Sequence, residues 1–344
     1  MLVYERDLET CTLALVQSFE SAANNQRILP DAPQIQLSAP TRISLSPDNN
    51  NAYAFEQTNW RIGMFRRGNE KNPLNYVGLI REHGRRFSEL VNTRHLIISP
   101  DDANIYVTNA RPEQSVAVLA RNPKSDDLTF VESWHDDSAI PARKNQVDDM
   151  ESPGGMAIDA NGKYLYVASL RNDAITTFAR QAHSGKLTPL DTTKTWTAEC
   201  SLAHPQTLAL EPEGRYLYCC NGGDGAMAVF QRDATTGMLS FLQVLHDDHD
   251  GIDGLANVCS IKTDGSGNRI FCAAGGDSAI SIFDRDPSTG KLKQIGLIKG
   301  DVNGIDGLSG VADTLISPDG KYLDATASDA TVAVFAISAL KPED

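Results

Sequence analysis

An apolar stretch, a Ser-Pro-Asp turn or a variant of it, a Tyr-rich extended stretch, a polar turn and an alternating strand ending in Phe recur in that order. Six copies run along the 344 residues. The clearest is VADTLISPDGKYLDATASDATVAVFAIS at 311–338. The others occupy 40–82, 93–134, 153–196, 204–245 and 256–299, with starts 51 to 60 residues apart. No single copy buries its own apolar face, so neighbours must stack on it. Repeats of ~50 residues made of short strands predict an all-β fold, the β-propeller of four-stranded blades.

Each copy reads as strands a to d. In the fifth these are Val258 to Lys262, Arg269 to Ala273, Ala279 to Phe283 and Leu292 to Ile298. Alternation in Ile280-Ser281-Ile282-Phe283 and in Met227-Ala228-Val229-Phe230 marks sheets with two chemically different faces. The last copy lacks strand d, and Thr12 to Phe19 is an unpaired outer strand near the N-terminus. Lending that strand to the last blade closes the ring and removes exposed edges. Residues 1–344 are then one domain of six blades around a central channel. Seven blades are the alternative if a divergent copy hides in 20–39 or 135–152. Leu2-Val3-Tyr4 duplicates the strand c already supplied by Val332 to Phe335, so either it sits outside the ring or the chain is one piece of a longer repeat array.

A net charge of −14 favours solubility and argues against nucleic acid, whose phosphates demand a basic face. No apolar run approaches the ~18 residues of a membrane span. The start carries Glu5, Asp7 and Glu9 and no apolar signal region, so a cytoplasmic location is expected. The six cysteines lack zinc-like spacing and read as buried reduced thiols, with a Cys259–Cys272 bridge as the alternative.

ISPDGKYLDATASDATVAVFAIS, LEPEGRYLYCCNGGDGAMAVFQRDATTGML and IDANGKYLYVASLRNDAITTFARQAHSGKL resemble blades of the lactonase-type propellers. That family includes 6-phosphogluconolactonase-like and muconate-lactonising enzymes. The resemblance implies a catalytic signature of Gly-Pro-Arg-His at the start of an inner strand and Asn-Glu after a strand b. Thr93-Arg94-His95 stands in the register of Pro-Arg-His, whereas strand b is followed by Asn109-Ala110 without a glutamate. The blade at 204–245 opens His204-Pro205-Gln206 and continues Asn221-Gly222.

Aligned on the Ser-Pro-Asp turn, the inner strands start with Arg42, His95, Gly155, Thr207, Val258 and Asp313. Thr41, Arg94, Gly154, Gln206, Asn257 and Ala312 precede them. Convergent polar groups at a cavity mouth predict a ligand site, here Arg42, Arg94, Gln206, Asn257 and Asp313. Arginines at 61, 66, 67, 81, 85 and 86 add a local positive face that steers an anion towards Arg42, Arg94 and His95. Two related loops, 248–255 and 301–308, together with 145–150, bring Asp148, Asp253 and Asp306 to comparable positions. Those carboxylates suit Ca²⁺ or Mg²⁺, or else serve as tight turns. His83, His135 and His183 read as solvated loop residues.

The functional expectation is a propeller binding a small anionic molecule or a protein partner through loops around the channel. The alternative is a hydrolase of a small anionic lactone, with Arg94, His95 and His204 as its catalytic groups.

Overall fold

The computed structural model describes residues 2–7, 13–21, 34–35, 37, 42–56, 61–69, 72–81, 90–122, 127–137, 145–197, 200, 202–222, 225–302, 304–329 and 331–339. Six antiparallel sheets follow one another in sequence order, and the fold is a β-propeller of six blades. The described helical content is one short 3-10 turn, Ile337–Ala339. The fifth blade shows how closely the pattern predicts the strands. They are Val258–Thr263, Arg269–Ala274, Ala279–Arg285 and Leu292–Lys299, each hydrogen-bonded to the next.

The Ser-Pro-Asp turn recurs because it closes the a–b reversal with its own side chains. Ser46 Oγ donates to Asp48 at 2.5 Å and accepts the N–H of Asn51 at 2.9 Å. Ser99 and Ser317 repeat both bonds. In blades 3 and 4 a carboxylate replaces the serine, so Asp159 and Glu211 accept the backbone N–H groups of Lys163 and Arg215.

The chain divides into two compact units, residues 1–146 with 181–186, and 147–180 with 187–344. In the first, blades 1 and 2 share a core of Tyr53, Phe55, Ile62, Leu96, Ile105 and Val107. In the second, successive blades share three such cores, one centred on Tyr166, Leu217 and Phe230.

Buried arginines at the end of strand c tie blades together. Arg232 donates to Tyr166 Oη at 2.7 Å, Gly214 O at 2.9 Å and Asp159 Oδ2 at 2.7 Å. Arg121 repeats this in the first unit, with Tyr53 Oη at 2.7 Å, Asn51 Oδ1 at 2.6 Å and a salt bridge to Asp102. Arg285 departs from the pattern. It bonds Gly267 O and Asn268 and stands 3.3 Å from Glu211, leaving Tyr218 Oη without a partner.

The expected closing strand is corrected. Leu13–Ser18 pairs with Leu2–Arg6 in a local hairpin, and the last sheet has three described strands, ending at Val332–Ala336. Joining strands close in sequence costs less chain entropy than joining opposite termini. Two further contacts hold the segment at blade 1. Gln17 exchanges both of its amide bonds with the backbone of Leu74, and Phe19 meets the Phe65 ring edge-on at 5.1 Å.

Candidate functional site

Strand a of blades 2 to 6 starts in the same way, and this start places several polar side chains. The residue before the strand is left-handed in five blades: Asn92, Ser152, His204, Asn257 and Gly310, with φ between 52° and 57°. A bulge follows. Pairing with strand b skips Arg94 in blade 2, Gly154 and Gly155 in blade 3, Gln206 in blade 4, Cys259 in blade 5 and Ala312 in blade 6. A bulged residue has no ladder partner, and its side chain is re-aimed. Arg94 and Gln206 are therefore placed by the backbone.

The fifth blade needs a realignment. Asp264 N–H bonds Arg269 O just as Ser99 N–H bonds Asn104 O, so Asp264 fills the place of the serine. The equivalent of His95 is Ser260 rather than Val258, because the Ser-to-Asp change hides the anchor of the turn. Asn257 and His204 then share one left-handed position, and both are exposed. The backbone sets His204's position, and its N–H donates to Asp173 at 2.7 Å.

In the first unit, Arg42, Arg94 and His95 lie on neighbouring inner strands, Arg42–Leu45 and Thr93–Ile98. Ser44 Oγ donates to Leu96 O at 2.9 Å and joins these strands. Arg42 precedes Ser44 by two residues and Arg94 precedes Leu96 by two, so both cations stand at one level. Both are half-buried, and among the described residues neither has a hydrogen-bond or ion-pair partner. The Nε of Arg94 is wholly buried and unbonded. A guanidinium with unused donors and restricted hydration is suited to an anion. Polar bonds fix the end of strand b beside them: Thr93 Oγ1 donates to Asn109 Oδ1 at 3.2 Å, and Asn109 Nδ2 donates to Ser115 at 3.1 Å.

Sequence reasoning missed Glu56. It ends strand b of blade 1, is fully buried and lies opposite Arg61 in the ladder. The same position holds Asn109, Ser169, Asn221, Ala274 and Ala327 in the other blades. The signal was present in the repeat alignment as the one acid in that column.

In the second unit Gln206 and Asn257 come together. A Cβ built on Gly222 would collide with Gln206 Oε1 and lie 3.1 Å from Asn257 Oδ1. The neighbouring Asn221 is buried with its Nδ2 unpaired. Asp313 is exposed and partly neutralised. It accepts from Ser260 Oγ at 2.6 Å and has Lys262 Nζ at 3.6 Å.

The three aspartates expected to hold a cation do not gather. Asp148 and Asp306 are exposed, and Asp253 clusters with Asp247 and Asp248. Burial pushes the Asp247 carboxyl above its ordinary range, and the nearby Asp277, Asp248 and Asp253 add to this. Lys299 approaches Asp253 at 3.5 Å. Loop acids clustered in this way do not by themselves make a cation site, and the site is assigned none. His135 is a further correction: it is buried in a strand, with Nδ1 3.0 Å from Glu113 O and Nε2 2.8 Å from Ser133 Oγ. His183 is exposed as expected, while His83 and the arginines at 85 and 86 lie outside the described residues. The described cysteines are free thiols, so the bridge between Cys259 and Cys272 is not formed.

Comparison with known proteins bears out the resemblance. The family model "Lactonase, 7-bladed beta-propeller" matches residues 94–248, a stretch containing Arg94, His95, His204 and Gln206. The 6-phosphogluconolactonase of Bacillus subtilis (strain 168) is 25% identical over 169 residues, 48% of this chain and 44% of that protein. The chain thus spans about half the length of the curated relatives it matches. Among solved structures, a Bacteroides uniformis protein provisionally assigned as a 6-phosphogluconolactonase superposes with a TM-score of 0.73 at 17% identity, covering 97% of this chain and 87% of that one. The periplasmic gluconolactonase PpgL of Pseudomonas aeruginosa gives 0.69 at 18% identity, covering 97% and 87%. At such identities the structural likeness establishes the fold alone. Among the described residues no helix is long and apolar enough to cross a membrane. The chain resembles the lactonase-type propellers in sequence across its middle and in fold along nearly its whole length.

Proposed function

We propose that the protein hydrolyses a small anionic lactone, with its anion held by Arg42 and Arg94. The observation carrying this reading is the pair of half-buried guanidinium groups without partners on adjacent inner strands. The relatives' activity supports it and moves the balance from a binding module towards a hydrolase.

In such a reaction water adds to the lactone carbonyl, the C–O bond of the ring breaks, and the departing alkoxide takes a proton. His95, next to Arg94 in the chain, is suited to that proton transfer. The positive field of the arginines lowers the energy of the oxyanion formed on the way. Gln206 and Asn257 offer uncharged donors and acceptors of the kind that hydroxyl groups pair with.

The test is alkali-monitored hydrolysis of a lactone panel containing 6-phosphogluconolactone and uncharged lactones. The anionic lactone should be turned over fastest, with His95→Ala losing about 100-fold or more in kcat. Absence of turnover on every lactone would return the protein to the ligand-binding class. His95→Ala at wild-type rate would remove His95 from the reaction.

A further inference from the structure

Away from the strand starts, sulfur is concentrated where blades 4 and 5 pack. Cys220 and Met227 are Cα partners across strands b and c of blade 4. Cys272, in strand b of blade 5, reaches the same place. Its thiol donates to Met227 Sδ at 3.7 Å, and Cys220 belongs to the same buried cluster. All three side chains are fully buried within one apolar cluster. Alternation along the strand sends the adjacent Cys219 to the other face, where it packs with Cys200. Cys259 uses its thiol on the carbonyls of Ala273 and Val311, at 3.3 and 3.0 Å.

We propose that Cys220, Cys272 and Met227 form a buried three-sulfur site for the soft monovalent ion Cu(I). Thiolate and thioether donors select Cu(I) among the common ions, whereas Ca²⁺ and Mg²⁺ require oxygen. Zn²⁺ takes four ligands from Cys, His and carboxylates, a set this cluster does not supply. Binding replaces the two thiol protons: two neutral thiols and Cu⁺ give a bis-thiolate complex of net charge −1 and release two protons. No electron is transferred. Because binding releases protons, the Cu(I) affinity rises with pH.

The protein is unfolded and refolded without oxygen, in Cu(I) buffered by a coloured Cu(I) chelator, so that slow access to a dry core is not mistaken for weak affinity. Refolded wild type is expected to keep one Cu(I) per chain against the chelator and no Zn(II) under equal treatment. Met227→Leu, nearly equal in volume, should fold and hold Cu(I) about tenfold or more weakly. Cys272→Ala should lose the ion. Complete release of copper by wild type, or wild-type retention in either variant, overturns the site.

Discussion

Arg232 and Arg94 are the same residue type in opposite situations. Arg232 has a donor on Tyr166, another on Gly214 O and an ion pair with Asp159, all out of water. Arg94 sits on a bulge, with its Nε buried and unbonded. A buried cation whose donors are all satisfied is part of the scaffold. One whose donors are withdrawn from water and left unused incurs a desolvation cost that an incoming anion would relieve. The comparison separates the two kinds of arginine in a chain whose repeats carry both.

The largest expected effect breaks the scaffold member. Arg232→Ala leaves the buried carboxylate of Asp159 uncompensated and should cost about 3–5 kcal/mol in urea unfolding. The same substitution at Arg94 should change stability by about 0.5 kcal/mol or less. It should also lower kcat/KM for an anionic lactone by some 30-fold, corresponding to about 2 kcal/mol of lost charge-assisted bonding. If Arg94→Ala unfolds the protein, the two arginines do not differ in the way described.

A smaller effect sharpens the contrast within the scaffold. Tyr166 Oη accepts from Arg232 and donates to Gly237 O at 2.8 Å, whereas Tyr218 Oη has no partner. Tyr166→Phe should therefore cost about 1–3 kcal/mol, and Tyr218→Phe should be neutral or stabilising, as measured in parallel melts. Burial pushes the Tyr166 phenol up to about 12, so its bonds persist across the neutral range.

The smallest effect concerns the Ser-Pro-Asp turn. The Ser46 hydroxyl, followed by the Asn50 groups, holds Asp48 down at about 2. A depressed carboxylate contributes stability above its unfolded value, near 3.8, and loses it as pH falls towards 2. NMR titration should place the Asp48 midpoint near 2, and Ser46→Ala should return it towards the ordinary value.

The fold was legible because its signals are local. Turn serines, alternating strands and glycine-bearing reversals recur in each copy and fix the six blades. Chain closure was not legible, since Leu13–Ser18 is equally strand-like wherever it pairs, and a local hairpin prevailed. The site was half legible. Arg42, Arg94, His95 and Gln206 were placed on inner-strand starts from register, but the bulges at Arg94 and Gln206 have no sequence mark. The Asp264 anchor misplaced one blade by two residues, and Glu56 stood out only once the strand ends were aligned. The aspartates were grouped by loop similarity, which says nothing about where loops bring their carboxylates.

Calorimetric titration of 6-phosphogluconate into wild type and Arg94→Ala tests most directly whether the unpaired arginines form an anion site. The account predicts one-site binding that weakens some 30-fold in the variant and falls with added salt. Equal affinity in both proteins, or no binding to wild type, would contradict it.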